Sequence, residues 1–212
     1  MAFKYSRNSS IFSLIDTEEK AYWLGFLYAD GYVDEKEGLI ILGLKAEDGE
    51  HINKFRTFLQ TDAPYQDKIN NGGHAYRFFR LYDKQLVADL NRQGLYKKKS
   101  LTLQPAFIMP PELVIHWTRG VFDGDGSIYP HTSPRASERY YMGLVGTEAM
   151  LTFIQSIWDV KRKLDFNRSV PKFTICKKEE VNRVLKLLYD DSTVYLQRKY
   201  DLAQLAIEVN SI

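Results

Sequence analysis

Cysteine is almost absent from this chain of 212 residues, in which Cys176 stands alone. A lone cysteine can form neither an internal disulfide nor a CxxC zinc site, so a reducing compartment is expected. No apolar run approaches the roughly 18 residues of a membrane span, and residues 1–10 contain no signal-peptide core. We therefore expect an intracellular protein that is not secreted and does not enter a membrane.

Excess charge of one sign is also missing. The 29 lysines and arginines nearly balance the 27 aspartates and glutamates, which leaves a net charge of +2. Taken alone, this balance is weak support for a polyanionic partner. The four histidines form no HxxxH pair, which disfavours a zinc site. Aromatic residues, by contrast, make up 14% of the chain; they indicate a core of large side chains, with some tyrosines available to line a ligand surface.

A ten-residue pattern occurs twice, at 22–31 and at 117–126. Each copy has a glycine, two apolar residues, one polar residue or tyrosine, a small residue, and then Asp-Gly. A second repeat pairs the basic segment 95–100 with 195–200. The chain is therefore predicted to consist of two similar halves, 1–104 and 105–212, which meet where three prolines interrupt regular structure. The matched positions of the first repeat are Gly25 and Gly120, Ala29 and Gly124, Asp30 and Asp125, and Gly31 and Gly126.

Each copy of the pattern is predicted to end a helix. Thr17 is a typical N-cap for the first helix, and Gly31 is predicted to end it in the left-handed conformation. The second helix is predicted over Pro111–Asp125. The alternation of helices with strand pairs predicts an α+β fold. Strands are predicted at 39–44, 74–82, 128–131, 139–145 and 169–177, and further helices at 48–60, 83–92, 147–160 and 179–189.

Small residues recur four positions apart in both motif helices, as Gly25 with Ala29 and as Gly120 with Gly124. Such spacing leaves a shallow groove on one helix face, into which a second backbone can fit. We therefore predict that the two helices form a central interface about a pseudo-two-fold axis.

Both copies of the pattern end in an acidic residue. Asp30 and Asp125 are predicted at helix C-termini, where the helix dipole disfavours a carboxylate by roughly 0.3–1 kcal/mol. Bringing the two helix ends together adds repulsion between the carboxylates. A divalent cation offsets both effects, and an oxygen-only ligand set favours Mg²⁺ over Zn²⁺. The sequence thus predicts a magnesium site where the two helices end.

The segments Trp23–Gly31 and Thr118–Gly126 resemble the two signature motifs of the LAGLIDADG homing endonuclease family. Because both motifs lie in one chain, the resemblance is to the two-motif, monomeric, pseudo-symmetric members. It implies two α-β-β-α-β-β-α halves related by a pseudo-two-fold axis. Their saddle-shaped antiparallel sheets are implied to lie along the major groove of double-stranded DNA, in which the enzyme makes a site-specific double-strand break.

The resemblance also implies the metal site and its chemistry. Asp30 and Asp125 are implied to bind Mg²⁺ or Mn²⁺, with the backbone carbonyls of Ala29 and Gly124 as further ligands. Phosphodiester hydrolysis by a metal-bound water would follow, with each aspartate serving one DNA strand.

The sixth motif position departs from the family pattern, being Tyr28 in the first copy and Asp123 in the second. That position faces away from the metal in the family, so we expect Asp123 to be structural. The repeated basic segment supplies Lys99 and Lys199 as candidates for ordering the attacking water or stabilising the developing charge. The alternative is that these lysines only contact phosphates or solvent.

Base recognition is expected from one face of the strands. Arg77 and Arg80 lie on opposite faces of their predicted strand, and the alternation does not decide which of them meets DNA. Lys172 and Thr174 share a face. Ordinary surface charge is the alternative interpretation for each of these residues. The remaining candidates for DNA contact are Lys98, Arg198, Arg135 and Arg139.

Three other functions remain open. An RNA-binding intron maturase would share the fold and would tolerate loss of Asp30 and Asp125. A DNA-binding regulator would have lost the metal carboxylates, and both are present. A small-molecule α+β enzyme would need a phosphate loop or a nucleophile triad, and neither pattern is found.

Overall fold

Each half of the chain begins with a long apolar helix that runs directly into the first strand of a sheet. In the computed structural model, which describes residues 4–69, 72–133, 136–166 and 170–212, these elements are α1 (Glu18–Asp30) with β1 (Gly31–Asp34) and α4 (Val114–Asp125) with β5 (Gly126–Ser133). The N-cap prediction is confirmed, since the Thr17 side chain accepts a hydrogen bond from a backbone N–H in the first turn. None of the described helices combines the length and apolarity needed to cross a bilayer.

The first half completes a four-stranded antiparallel sheet in the order β1-β2-β4-β3. Buried positions alternate along β2, so one face of this sheet packs against the helices and the other is open. The further elements are β2 (Leu39–Lys45), α2 (Gly49–Phe58), β3 (Tyr65–Ile69), β4 (Ala75–Tyr82) and α3 (Lys84–Arg92).

The second half builds a three-stranded antiparallel sheet in the order β5-β6-β7. The family resemblance implied a second strand pair in this half. The described residues show one strand there, β7 (Lys172–Ile175), and an isolated bridge between Asp165 and Lys172. The further elements are β6 (Ala136–Val145), α5 (Glu148–Ile157), β7 (Lys172–Ile175), α6 (Lys178–Tyr189) and α7 (Gln197–Asn210). The α+β prediction with two antiparallel sheets is thus confirmed, although β1, β3 and α7 were not foreseen from the sequence.

The predicted left-handed end of the first motif helix is wrong. Gly31 is extended, with φ −77° and ψ 146°, because α1 continues straight into β1. Glycine is needed here for space rather than for positive φ, since a Cβ would lie 2.6 Å from the Leu27 carbonyl oxygen. Gly126 repeats this geometry after α4, with φ −79° and ψ 164°.

The two motif helices touch backbone to backbone. A Cβ added to Gly25 would lie 2.0 Å from the Trp117 carbonyl oxygen, and one added to Gly120 would lie 2.1 Å from the Tyr22 carbonyl oxygen. No side chain fits into these distances, so α1 and α4 approach as closely as their main chains allow. This contact fixes how the two halves sit relative to each other.

One hydrophobic cluster continues from the first half into the second across this interface. The three tryptophans, Trp23, Trp117 and Trp158, are fully buried in it. Because the halves share this core, their division at residues 104 and 105 stays a prediction drawn from the repeat.

Gly120→Ala is expected to lower the free energy of unfolding by about 3 kcal/mol, because the new methyl group must push two backbones apart. Chemical denaturation of the variant and the parent measures the difference. Gly43→Ala is the matched control, since its added Cβ would meet nothing nearer than 3.6 Å. Equal losses of stability in the two variants would contradict the close helix contact.

Candidate active site

The close helix packing brings the two motif carboxylates together. Asp30 and Asp125 are the last residues of α1 and α4. Asp30 Oδ2 lies 3.3 Å from the position that a Cβ on Gly124 would occupy, and the same Cβ would lie 2.3 Å from the Ala29 Cβ. The two helix C-termini therefore end side by side, each with its acidic residue.

Both carboxylates ionise less readily than usual. More than a third of Asp30 and of Asp125 is exposed, but protein closes around the rest of each side chain. This desolvation, together with repulsion from Asp30, raises the pKa of Asp125 to about 6, while Lys99 and Lys199 oppose the rise. The pKa of Asp30 is also raised, again mainly by desolvation. Two negative charges at this point are thus electrostatically unfavourable without a cation.

Two buried lysines lie beneath the carboxylates. Lys99 is 7% exposed, and its Nζ donates a hydrogen bond of 3.1 Å to the Ala29 carbonyl oxygen. Lys199 is 5% exposed, and its Nζ donates to the carbonyl oxygens of Phe122, at 2.7 Å, and of Gly126. Each ammonium therefore sits on the C-terminal turn of its own motif helix, where the helix dipole favours a cation.

Each lysine is coupled electrostatically to the terminal acids of both motif helices. Burial lowers the pKa of Lys99, and Asp125 opposes this more than Asp30 does. Burial likewise lowers the pKa of Lys199 to about 8, and this is opposed most by Asp123 of its own half, then by Asp30 and then by Asp125. Lys99 and Asp125 also line one cavity of about 280 Å³. Residues from both halves thus meet around each carboxylate.

The donors in this place fit a hard divalent cation. The ligand atoms of the two carboxylates and of the Gly124 carbonyl are all oxygen. The described residues contain no group of three or more His, Cys, Asp or Glu side chains that could hold a metal, so the set of protein ligands is small. Mg²⁺ suits so small a set, because it keeps several waters and is commonly held by one or two carboxylates. The carbonyl oxygen of Ala29, the other implied ligand, accepts one hydrogen bond from Lys99; it has a second lone pair, and its contact with a metal stays a prediction.

The strand register of the first sheet separates its two candidate arginines. Arg77 lies on the helix-facing side, where Asp67 accepts two hydrogen bonds from it at 2.8 and 3.0 Å and its guanidinium stacks 3.8 Å from the Tyr65 ring centroid. Arg80 lies on the open face and is exposed. Arg77, proposed from the sequence for DNA contact, is therefore engaged within the protein, and Arg80 is the arginine free to meet a partner lying along the open face.

The open face of the second sheet carries other predicted residues. Arg139, Lys172 and Thr174 lie there by strand alternation, whereas Arg135 lies outside the described residues. The sequence argument missed the aromatic side chains of this face. They form a cluster in which the rings of His131 and Tyr141 stack at 4.5 Å. Period-two alternation along β5 and β6 is the signal that places them together.

The two remaining basic candidates differ from each other. Lys98 is exposed and adopts a left-handed conformation with φ 61°. Arg198 is instead paired with Asp48, a residue of the first half that is 8% exposed. The Arg198 guanidinium is therefore engaged with a carboxylate of the protein, and its contact with DNA stays a prediction.

No protein-family model matches the chain. Among curated proteins it is similar to an uncharacterized protein of Methanocaldococcus jannaschii, with 28% identity over 131 residues, or 58% of this chain and 46% of the relative. The match thus spans about half the length of that relative. Among solved structures, the meganuclease I-SmaMI bound to uncleavable DNA gives a TM-score of 0.65, with 12% identity over 91% of this chain and 90% of its own. I-AabMI bound to uncleaved DNA gives 0.61, with 13% identity over 90% and 89%. The fold is that of the LAGLIDADG homing endonucleases.

The sixth position of the second motif copy forms a buried polar centre. Asp123 accepts hydrogen bonds from the hydroxyls of Tyr22 at 2.7 Å and Tyr189 at 2.6 Å, and from the Leu196 N–H at 2.7 Å. Its counterpart Tyr28 donates to the Gln93 carbonyl oxygen at 2.5 Å. Both side chains are thus engaged in hydrogen bonds within the protein, which supports a structural role for Asp123.

Asp125→Asn is expected to stabilise the metal-free protein above pH 6. A raised pKa means that the folded state favours the protonated acid, so this stability is present below about pH 4 and is lost as pH rises through about 6. Asparagine stays neutral throughout, and screening at this exposed site limits the gain to about 1 kcal/mol. Denaturation with a chelator at pH 4 and pH 8 measures it. A variant less stable than the parent at pH 8 would contradict the carboxylate repulsion.

Proposed function

We propose that this chain is a site-specific endonuclease that hydrolyses both strands of a long, asymmetric double-stranded DNA target with Mg²⁺ or Mn²⁺. The observation that carries the proposal is the pair of carboxylates at adjoining helix ends, with a buried lysine beneath each. The similarity in fold to meganucleases bound to DNA supports it. A monomer suffices, because one chain supplies both aspartates.

The chain's own residues have distinct parts in this proposal. Asp30 and Asp125 would hold the metal, with the Gly124 carbonyl beside them. When bound, a divalent cation would supply Lewis acidity and would make water more acidic. Lys99 and Lys199 hold positive charge at the end of each motif helix, where it can stabilise the negative charge that develops on the phosphate. The helix contact brings Asp30 beside the end of the second motif helix without help from a ligand.

The open sheet faces supply the surface for the duplex. Arg80 lies on the first face, and Arg139, Lys172 and Thr174 lie on the second. Arginine, lysine and threonine read base edges in the major groove, and aromatic rings make apolar contact with thymine methyls. Because the two faces carry different side chains, they favour two different half-sites and hence an asymmetric target.

A cleavage selection from a randomised duplex library with Mg²⁺ tests the proposal and yields the target together. Asp30→Asn and Asp125→Asn are expected to abolish double-strand cleavage of the selected target while DNA binding, measured with Ca²⁺ in a gel-shift assay, stays within a few-fold of the parent. Removing the metal with a chelator is expected to stop cleavage as well. Undiminished cutting by both variants, or in chelator, would refute the metal assignment.

Arg80→Ala is expected to weaken DNA binding. If Arg80 contacts a phosphate, the slope of log affinity against log salt falls by about one. Arg77→Ala is the matched control from the same strand; it loses its ion pair with Asp67 and is expected to lower stability by about 1 kcal/mol while it leaves the salt slope unchanged. Binding titrations at several salt concentrations measure the salt slope of both variants. A slope that falls in Arg77→Ala and stays unchanged in Arg80→Ala would show that the two faces of the sheet are assigned wrongly.

A further inference from the structure

Each lysine-bearing segment is docked on the opposite half of the molecule. Residues 196–198, which precede Lys199, lie against the start of α2 in the first half. Residues 99–103, which begin with Lys99, lie against the start of α5 in the second half. The two contacts occupy equivalent places about the pseudo-two-fold axis, since α2 and α5 are corresponding helices of the two halves.

The first docking contact is ionic. Arg198 Nε lies 3.0 Å from Asp48 Oδ1, and Arg198 Nη2 lies 2.7 Å from Asp48 Oδ2. Such a two-pronged arrangement is the strong, directional form of the arginine–carboxylate pair. Asp48 stands directly before α2, and Arg198 directly precedes Lys199 in the first turn of α7. The pair therefore fixes the backbone that carries the Lys199 ammonium.

The second docking contact is a neutral hydrogen bond. Thr147 Oγ1 donates to the Leu103 carbonyl oxygen at 2.6 Å, while it accepts from the Met150 N–H at 3.3 Å as the N-cap of α5. The Leu103 N–H in turn donates to the Lys99 carbonyl oxygen at 2.8 Å. Leu103 is thus held on both sides, and through it the turn that carries the Lys99 ammonium is fixed to the second half.

We propose that Asp48 and Thr147 are positioning residues, each of which holds the active-site lysine of the opposite half in place. The proposal rests on the proposed endonuclease function. Small displacements of a positioned group cost about 10- to 100-fold in rate. Since each lysine belongs to one of two cleavage centres, loss of either contact slows the cutting of one strand and leaves the other strand nearly unchanged.

Two substitutions test the contacts while keeping a residue suited to the N-terminus of a helix. Asp48→Asn removes the charge that Arg198 needs. Thr147→Asp can still accept the helix N–H but, when ionised, cannot donate to Leu103. Glu180→Gln is the control, because it removes an ion pair with Arg162 in the second half, away from both lysine segments.

The selected target, labelled on either strand and also carried in a supercoiled plasmid, gives the strand-resolved rates. Asp48→Asn and Thr147→Asp are each expected to accumulate nicked circles. Each variant is expected to cut one strand about 10- to 100-fold more slowly than the parent, and the slowed strand differs between the two variants. Glu180→Gln is expected to linearise the plasmid as the parent does. Arg198→Met combined with Asp48→Asn is expected to be no slower than either single variant, because the two side chains act as one contact.

Amide hydrogen exchange on the full chain without DNA supplies a readout independent of cleavage. Faster exchange is expected over 197–201 in Asp48→Asn and over 99–103 in Thr147→Asp, and in neither segment in Glu180→Gln. Equal slowing of both strands, or unchanged exchange in both segments, would overturn the positioning role. If the parent itself fails to cut any duplex, the endonuclease proposal falls, and the exchange result alone then decides whether the contacts hold the lysines.

Discussion

The backbone contact between α1 and α4 is the constraint on which the rest of the structure depends. Gly25 and Gly120 remove the side chains that would otherwise keep two helices about 8–10 Å apart. Because the helices meet so closely, their C-termini end side by side and Asp30 lies beside Gly124. The same contact sends β1 and β5 away from a common point, so that one sheet develops on each side of the paired carboxylates.

The acidic ends of the two motif helices lower the stability of the fold at the place where the proposed reaction needs carboxylates. Helix ends that approach this closely would be more stable with neutral or basic last residues. The chain instead has two acids there and buries two lysines against main-chain carbonyls beneath them. The net charge is only +2, but the charges are not spread evenly, because these two acids and two lysines lie together at the centre.

Local and repeated features could be predicted from the sequence, and long-range pairings could not. The N-cap at Thr17 and the four-residue spacing of small residues depend on neighbours a few positions away, so the pattern shows them. The side of the sheet on which Arg77 and Arg80 lie depends on register with β2 and β3, which alternation within one strand leaves open. The pair between Asp48 and Arg198 joins residues 150 positions apart, and the sequence around either residue does not predict it. Helix α7 could not be predicted from its start, because Leu196 at the N-cap makes no side-chain capping bond.

The crossed docking of the lysine segments has a consequence for how such a chain can change during evolution. A hybrid made by joining the first half of one such protein to the second half of another would carry every motif residue. It would nevertheless match a lysine segment from one parent with a receiving helix from the other, at both centres. Only parents with compatible partners at the positions of Asp48 with Arg198 and of Thr147 with Leu103 would yield a hybrid in which both lysines are held. Recombination at the midpoint is therefore restricted by two small contacts outside the motifs, even though the repeat makes the halves look interchangeable.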